Sequence, residues 1–207
     1  MLEPLPSLPS NEEDLIARIR AGDEGAFETL YLAHHDSLWR FAYSYVHSRD
    51  VAEELVQDVF LSVWGTRATW EVRTRVRAWL FAAVRHLALN HLRHERIVAR
   101  TLGSPVAQSA QLTERVGIAA TEVAASTMSQ RQPSQLETAE ARELDEAMGR
   151  AIADLPERRR IAMTLRWKED MSALEIATVL GTTPEAVRVL LTRARAELAA
   201  LLERMER

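Results

Sequence analysis

From Glu12 to Arg96, apolar residues recur three or four positions apart, the spacing that gathers them on one side of an α-helix. No stretch alternates apolar and polar residues long enough to predict a strand. A first helix is expected over Glu12–Arg20; "AGDEGAF" then breaks and restarts the pattern, with Asp23 as the cap. A second carries Phe27, Leu30, Tyr31, His34, Leu38, Phe41, Ala42 and Tyr45 to about His47. "SRD" opens a third, "GTRATWEVRTR" reads as a loop, and a long helix follows over about Val76–Arg96. Its expected buried stripe is Val76, Trp79, Leu80, Ala83, Val84 and Leu87. From Thr101 to Pro133 aromatic residues vanish, Ser, Thr, Ala and Gln are common, and Gly103, Pro105, Gly117 and Pro133 punctuate the chain. That composition predicts a linker with transient helix around Gln111–Ser126. Periodicity resumes near Leu136 and continues through three or four helices. The pattern predicts an all-α chain with a disordered segment 1–10, a helical domain 11–97, a flexible linker 98–138 and a second helical domain 139–207.

The third helix, "DVAEELVQDVFLSVW", has an unusual polar side. Leu55, Val56, Val59, Phe60, Val63 and Trp64 share the apolar side, and Glu54, Gln57, Asp58 and Leu61 the other. Glu54 and Asp58 are like charges one turn apart, which costs a few tenths of a kcal/mol. No Lys or Arg lies between Asp50 and Trp64 to offset them, and Asp58 is beyond the first turn, where the helix dipole favours acids. Either water solvates this face or another molecule supplies the missing cations.

Composition narrows the function. The chain has 207 residues, 47% hydrophobic and 27% charged, and no Cys, which excludes disulfides, thiolate metal sites and cysteine catalysis. "MLEPLPSLPS" is neither a signal nor a transit peptide, and no apolar run is long enough to span a bilayer, so a cytoplasmic protein without membrane insertion is expected. A net charge of −4 and a pI near 5.9 argue mildly against autonomous nucleic-acid binding. Local charge differs. Between Arg73 and Arg100 stand seven arginines (73, 75, 77, 85, 93, 96 and 100) against one acid, Glu95. Arg77, Phe81 and Arg85 fall on one face of the long helix, with His86, Asn90 and Arg93 beside them. Basic residues interleaved with an aromatic suit single-stranded nucleic acid, the arginines tracking phosphates while rings stack on unpaired bases. Trp70 is a second candidate for stacking, while a merely solvated basic face has the same composition. His86, His91 and His94 are spread around the helix without a carboxylate partner, so no metal site is expected.

"MSALEIATVLGTTPEAVRVLLTRARAEL" has the layout of a helix-turn-helix. Ser172 can cap a short helix, Gly181 supplies the turn, and Thr183 with Pro184 opens a longer helix. In such a motif the second helix enters the major groove. Thr182 and Thr183 in the turn, and Glu185, Arg188, Thr192, Arg193 and Arg195 on the second helix, are the candidate contacts. An ordinary helical hairpin with a solvated basic face remains the plainer alternative.

Three blocks, "AEELVQDVFLSVW", "RAWLFAAVRHLALNHLRHER" and "LPERRRIAMTLRWKEDMSALEIATVLGTTPEAVRVLLTRARAEL", together with "IARIRAGDEGAFETLY", resemble the extracytoplasmic-function subgroup of bacterial sigma-70 factors. The resemblance covers most of residues 12–97 and 140–204. It implies a promoter-specificity factor that binds core RNA polymerase and helps to melt the promoter, with no enzymatic activity and no cofactor. Glu54, Gln57, Asp58 and Leu61 match positions that dock on arginine-rich clamp helices of the largest polymerase subunit. Trp70, Arg75, Arg77, Phe81, Arg85, His86, Asn90 and Arg93 would hold the opened strand of the start-proximal (−10) element. His86 stands where Asn is frequent, which changes the hydrogen-bond offer to a base. Thr182, Thr183, Glu185, Arg188, Thr192, Arg193 and Arg195 would read the distal (−35) duplex, although Val189 and Leu190 replace a frequent Ser-Arg pair. "LPERRRIAMTL" would meet the flap of the second-largest subunit, and an anti-sigma partner is common in the family. A linker of about 35 residues could span on the order of 100 Å.

The principal alternative is an autonomous helix-turn-helix regulator with an N-terminal dimerisation domain. It accounts for the C-terminal motif but leaves the acidic face and the arginine stripe without a role. An enzyme is disfavoured, since the chain has no Gly-rich phosphate loop, metal cluster or recognisable catalytic triad.

Overall fold

The computed structural model describes residues 10–72, 74–101 and 148–205. Expectations for the N-terminal ten residues, Arg73, most of the linker and the start of the second domain therefore lie largely outside the described residues, as does the helix expected at Gln111–Ser126. The described residues are helical, without strands. In order they form α1 (Ser10–Arg20), α2 (Glu24–Val46), α3 (Arg49–Gly65), a short 3-10 turn (Arg67–Thr69) and α4 (Val76–Thr101). Residues 148–153 are helical, and α5 (Glu157–Trp167), α6 (Ala173–Leu180) and α7 (Pro184–Met205) follow. None of the described helices is long and apolar enough to cross a membrane.

Local chemistry sets the boundaries. Asp23 accepts a hydrogen bond from the Ala26 backbone N–H at 3.0 Å and Ser48 accepts one from Val51, so each caps an orphan donor of the next helix. α2 ends at His47, whose φ of 53° is left-handed, a conformation histidine tolerates better than branched residues do. α6 begins with a capping box, Ser172 and Glu175 each bonding the other's backbone N–H. It ends at Gly181, where φ is 62° and a side chain would be strained.

The described residues divide into two compact units. The first runs through Val98 and also takes in Met171–Pro184; the second takes in Ala99–Asp170 and Glu185 onward. In the first, α2 and α3 lie antiparallel. Phe27 meets Trp64 at 4.9 Å and Tyr31 meets Phe60 at 4.8 Å between ring centres, and His35 reaches Glu53. α4 closes this core by setting Phe81 against Phe41 at 4.9 Å. Glu12 on α1 accepts from the Val76 backbone N–H at 3.4 Å, fastening the start of α4. In the second unit Ala151, Ile152 and Leu155 pack with Ala194 and Leu198 of α7, with Met148 and Met163 around them. Arg159 pairs with Glu197 across α5 and α7.

The buried stripe of α4 differs from the expected one. Val76, Ala78, Leu80, Phe81, Val84 and Ala88 are buried, whereas Trp79, Ala83 and Leu87 are half-buried. The helix is rotated so that Phe81 rather than Trp79 fills the interior. Both stripes satisfy helical spacing, and the ring of Phe41 across the core selects between them.

This packing separates core from surface experimentally. Phe81→Ala should destabilise the fold by about 3–5 kcal/mol, as for other core aromatics. Leu61→Ala, on the exposed side of α3, should change stability by less than about 0.5 kcal/mol. Urea unfolding of the two variants measures the contrast.

Candidate functional site

The α3 surface forms as its pattern requires. Glu54, Gln57 and Asp58 are exposed, and Leu61 is 68% exposed although its neighbours Val59, Phe60 and Val63 are buried. Glu53 is engaged from two sides: His35 Nε2 lies 3.1 Å from its carboxylate and the Gln57 amide donates at 3.0 Å. Glu54 and Asp58 make no ion pair or hydrogen bond among the described residues. Beside them opens a cleft of about 490 Å³ lined by Glu24, Phe27, Tyr31, Gln57, Phe60, Leu61 and Trp64. The Arg67 guanidinium lies 4.4 Å over the ring of Trp64, one of the lining residues. The face therefore combines unpaired negative charge, an exposed leucine and an aromatic-floored cleft.

Two histidines behind it have opposite tendencies. Burial opposes charge on His35, yet its contacts with Asp36 and Glu53 outweigh that and raise its pKa above the ordinary 6.5. His34 is lowered below 6.5, by burial first and by the Arg77 charge second.

On α4 the expected residues divide. Arg75 is exposed, and Arg77 and Arg85 are half-buried. His86, Asn90 and Arg93 form one chain: Arg93 donates to Asn90 Oδ1 at 3.0 Å, and Asn90 Nδ2 lies 2.9 Å from His86 Nε2. The side-chain Nε of Arg85 is buried without a hydrogen-bond partner. Two aromatic expectations are corrected. Phe81 is 1% exposed against Phe41 and offers no ring to a base. Trp70 is 4% exposed, stacked edge-on against Trp79 at 5.4 Å, with its carbonyl held by Arg20 Nε at 2.8 Å. The outer face of α4 is thus polar and cationic, with Phe81 and Trp70 turned inward. No group of histidines and carboxylates among the described residues could hold a metal ion.

Along α7, Arg188 donates to Glu185 at 3.1 Å, and the Thr192 hydroxyl donates to the Arg188 carbonyl at 2.9 Å. Arg193 and Arg195 are exposed, as is Thr183 in the turn, while Thr182 is half-buried. Val189 is also exposed.

Comparison with known proteins shows the family of the chain. The sigma-70 region 2 family matches residues 30–97, and the sigma-70 region 4 family matches residues 145–198. RNA polymerase sigma factor NccH of Alcaligenes xylosoxydans xylosoxydans is 30% identical over 94% of this chain and 96% of its own length. The chain belongs to the extracytoplasmic-function sigma factors of the sigma-70 family. ECF sigma factor SigM of Mycobacterium tuberculosis is 31% identical over 93% of this chain and 85% of its own length. The chain spans 65% of the length of ECF sigma factor BldN of Streptomyces coelicolor, to which it is 28% identical. The solved structure of CnrH in complex with the cytosolic domain of CnrY covers 93% of this chain and 97% of its own, at 25% identity and a TM-score of 0.55. RpoE of Bartonella quintana, solved with the anti-sigma factor NepR, shares the fold at 24% identity and a TM-score of 0.55, over 86% of this chain and 96% of its own. The chain is accordingly a promoter-specificity factor. In this sigma factor the region 4 match includes α6, which packs within the first compact unit.

Sequence reasoning missed several residues of these surfaces. Phe27 and Tyr31 were visible only as core positions of α2, yet they line the cleft beside Leu61. Glu12 and Arg20, which fasten Val76 and Trp70, left no signal because their partners are more than forty residues away. Glu175 was legible from Ser172 as the third helical residue of a capping box, but its contact with Arg77 was not. Burial opposes its ionisation, while bonds from Ser172 and Arg77 prevail and lower its pKa.

The histidine pair gives a test with a definite sign. Because the folded-state pKa of His35 is raised, its stabilising contribution is complete below the unfolded value and is lost as pH rises through the folded one. For His34, lowered, the contribution is present above the unfolded value and is lost as pH falls through the folded one. An NMR titration should place the His35 midpoint above 6.5 and that of His34 below it. Glu53→Gln should move the His35 midpoint down and leave His34 unchanged.

Proposed function

We propose that this sigma factor docks on core RNA polymerase through the exposed side of α3, using Glu54, Gln57, Asp58 and Leu61 against the arginine-rich clamp helices of the largest subunit. The observation that carries the proposal is the pair Glu54 and Asp58, two exposed carboxylates without a cation among the described residues, next to an exposed leucine. A cationic helix would complete them, and charge complementarity would set its orientation and on-rate. Leu61 and the cleft at its side would supply the apolar centre from which water is excluded.

On the same reading, Arg75, Arg77, Arg85, His86, Asn90 and Arg93 hold the non-template strand of the start-proximal element. Melting then draws on contacts to the opened strand, which offset an unstacking cost of a few kcal/mol per extruded base. The buried rings of Trp70 and Phe81 support the helix that presents these groups. The segment from α6 through Gly181 to α7 reads the distal element as duplex, with Thr182, Thr183, Glu185, Arg188, Thr192, Arg193 and Arg195 toward DNA. "LPERRRIAMTL", spanning the start of α5, contacts the flap of the second-largest subunit. By analogy with RpoE, solved with NepR, an anti-sigma protein restrains the chain in the bacterial cytoplasm.

The joint replacement of Glu54, Gln57 and Asp58 by Ala should weaken binding to core polymerase by at least tenfold, whereas one substitution at a solvated rim costs little. Surface plasmon resonance against immobilised core measures both, and unchanged affinity in the triple variant would refute the docking face. Holoenzyme binding to promoter DNA should also fall steeply with ionic strength through counterion release. A flat response in a salt series would remove the arginine stripe from the mechanism.

A further inference from the structure

Glu175 has one carboxylate oxygen more than its cap requires. Oε2 accepts from both the backbone N–H and the hydroxyl of Ser172, each at 2.8 Å, which completes the capping box of α6. Oε1 is turned away from the cap and accepts from Arg77 Nη2 at 3.1 Å. Arg75 Nε approaches the same oxygen at 3.9 Å. Among the described residues Glu175 is the only charged side chain that is buried, at 8% exposure. All three residues belong to the first compact unit, so the contact is internal to it.

Two guanidinium groups converging on one oxyanion make the arrangement that arginine uses for phosphate as well as carboxylate. Arg77 is partly withdrawn from water and held near buried neighbours, which strengthens its preference for an anionic partner over solvent. Arg75 is shared with Glu12, 3.9 Å from its Nη1, so the pair is enclosed by carboxylates from α1 and α6. A strand phosphate and the Glu175 carboxylate cannot occupy this position together.

We propose that Arg75 and Arg77 form a phosphate-binding site for the unpaired promoter strand and that Glu175 fills it in the free chain as an internal phosphate mimic. This rests on the reading of α4 as the strand-holding helix and adds its regulation. The strand must displace Glu175 before it can bind. The free factor is therefore a poor single-strand binder, and events that draw α6 off α4 make the site available. A net charge of −4 is consistent with such latency, but Glu175 places it at a single carboxylate.

Glu175→Gln separates the two functions of the residue, because glutamine at this position still completes a capping box while the carboxylate charge beside Arg77 is removed. Binding of the full-length free chain to a fluorescent single-stranded oligothymidylate, measured by anisotropy at low salt, should tighten about fivefold, the scale of a partly exposed ion pair. The salt dependence should become steeper, since phosphates rather than Glu175 then neutralise the arginines. Glu175→Asp, which keeps the charge but draws it back, should give a smaller gain, and adding Arg77→Ala should abolish the gain in either background. Circular dichroism confirms that the variants keep their helices. Equal affinity of wild type and both folded Glu175 variants for the oligonucleotide would overturn the proposal. Promoter opening by holoenzyme carrying Arg75→Ala and Arg77→Ala distinguishes the two levels: impaired opening upholds the strand-holding reading whatever Glu175 does. Normal opening there would overturn that reading and the phosphate site with it.

Discussion

A carboxylate in a folded protein needs either water or a cation, and this chain gives its acids both fates. Glu54 and Asp58 stand on the outer face of α3 with water alone, one turn apart, on a helix that carries no cation within Asp50–Trp64. Their mutual repulsion is small, a few tenths of a kcal/mol, so the fold tolerates it. The same repulsion lowers the electrostatic cost of a cationic partner. Glu53, on the same helix, is already satisfied by His35 and Gln57 and faces the α2 side, which leaves the outward pair as the open valence of the surface.

α4 shows the complementary case. Its arginines are cations in an acidic chain, and their partners come from far along the sequence: Glu12 for Arg75, and Glu175 for Arg75 and Arg77. Arg75 and Arg77 stay partly exposed, so these carboxylates are easier to exchange than the partners of a fully buried pair. Farther along, Asn90 sits between Arg93 and His86. Because arginine can only donate, the Asn90 oxygen faces Arg93 and its amide nitrogen faces His86 Nε2. In the neutral imidazole, His86 Nε2 is then the acceptor of this bond and the Asn90 amide the donor.

Much of this was legible in the chain itself. Helix positions, the Asp23 and Ser172 caps, the Gly181 turn and the split polarity of α3 follow from local spacing and capping chemistry. The order of four sequence blocks was enough to place the chain in its family, which the full-length relatives then supported. Aromatics were read less well. Trp70 and Phe81 looked like stacking residues because they stand among arginines, but proximity in sequence does not specify the side of the helix or loop from which a ring emerges. For α4, two apolar stripes offset by a fraction of a turn are equally regular.

What the sequence by itself determined is local: which residues are helical, where helices stop, and which face of α3 carries charge without countercharge. Those properties depend on contacts within four residues, where the i, i+3 and i, i+4 rules hold. Tertiary structure alone decided the rotation of α4, the burial of Trp70 against Trp79, the cleft that Phe27 and Tyr31 share with Leu61, and the meeting of Glu175 with Arg77. Apart from the Trp70–Trp79 contact, each joins residues thirty or more positions apart. Side-chain shape and charge across the folded interior select such contacts, and no local periodicity encodes them.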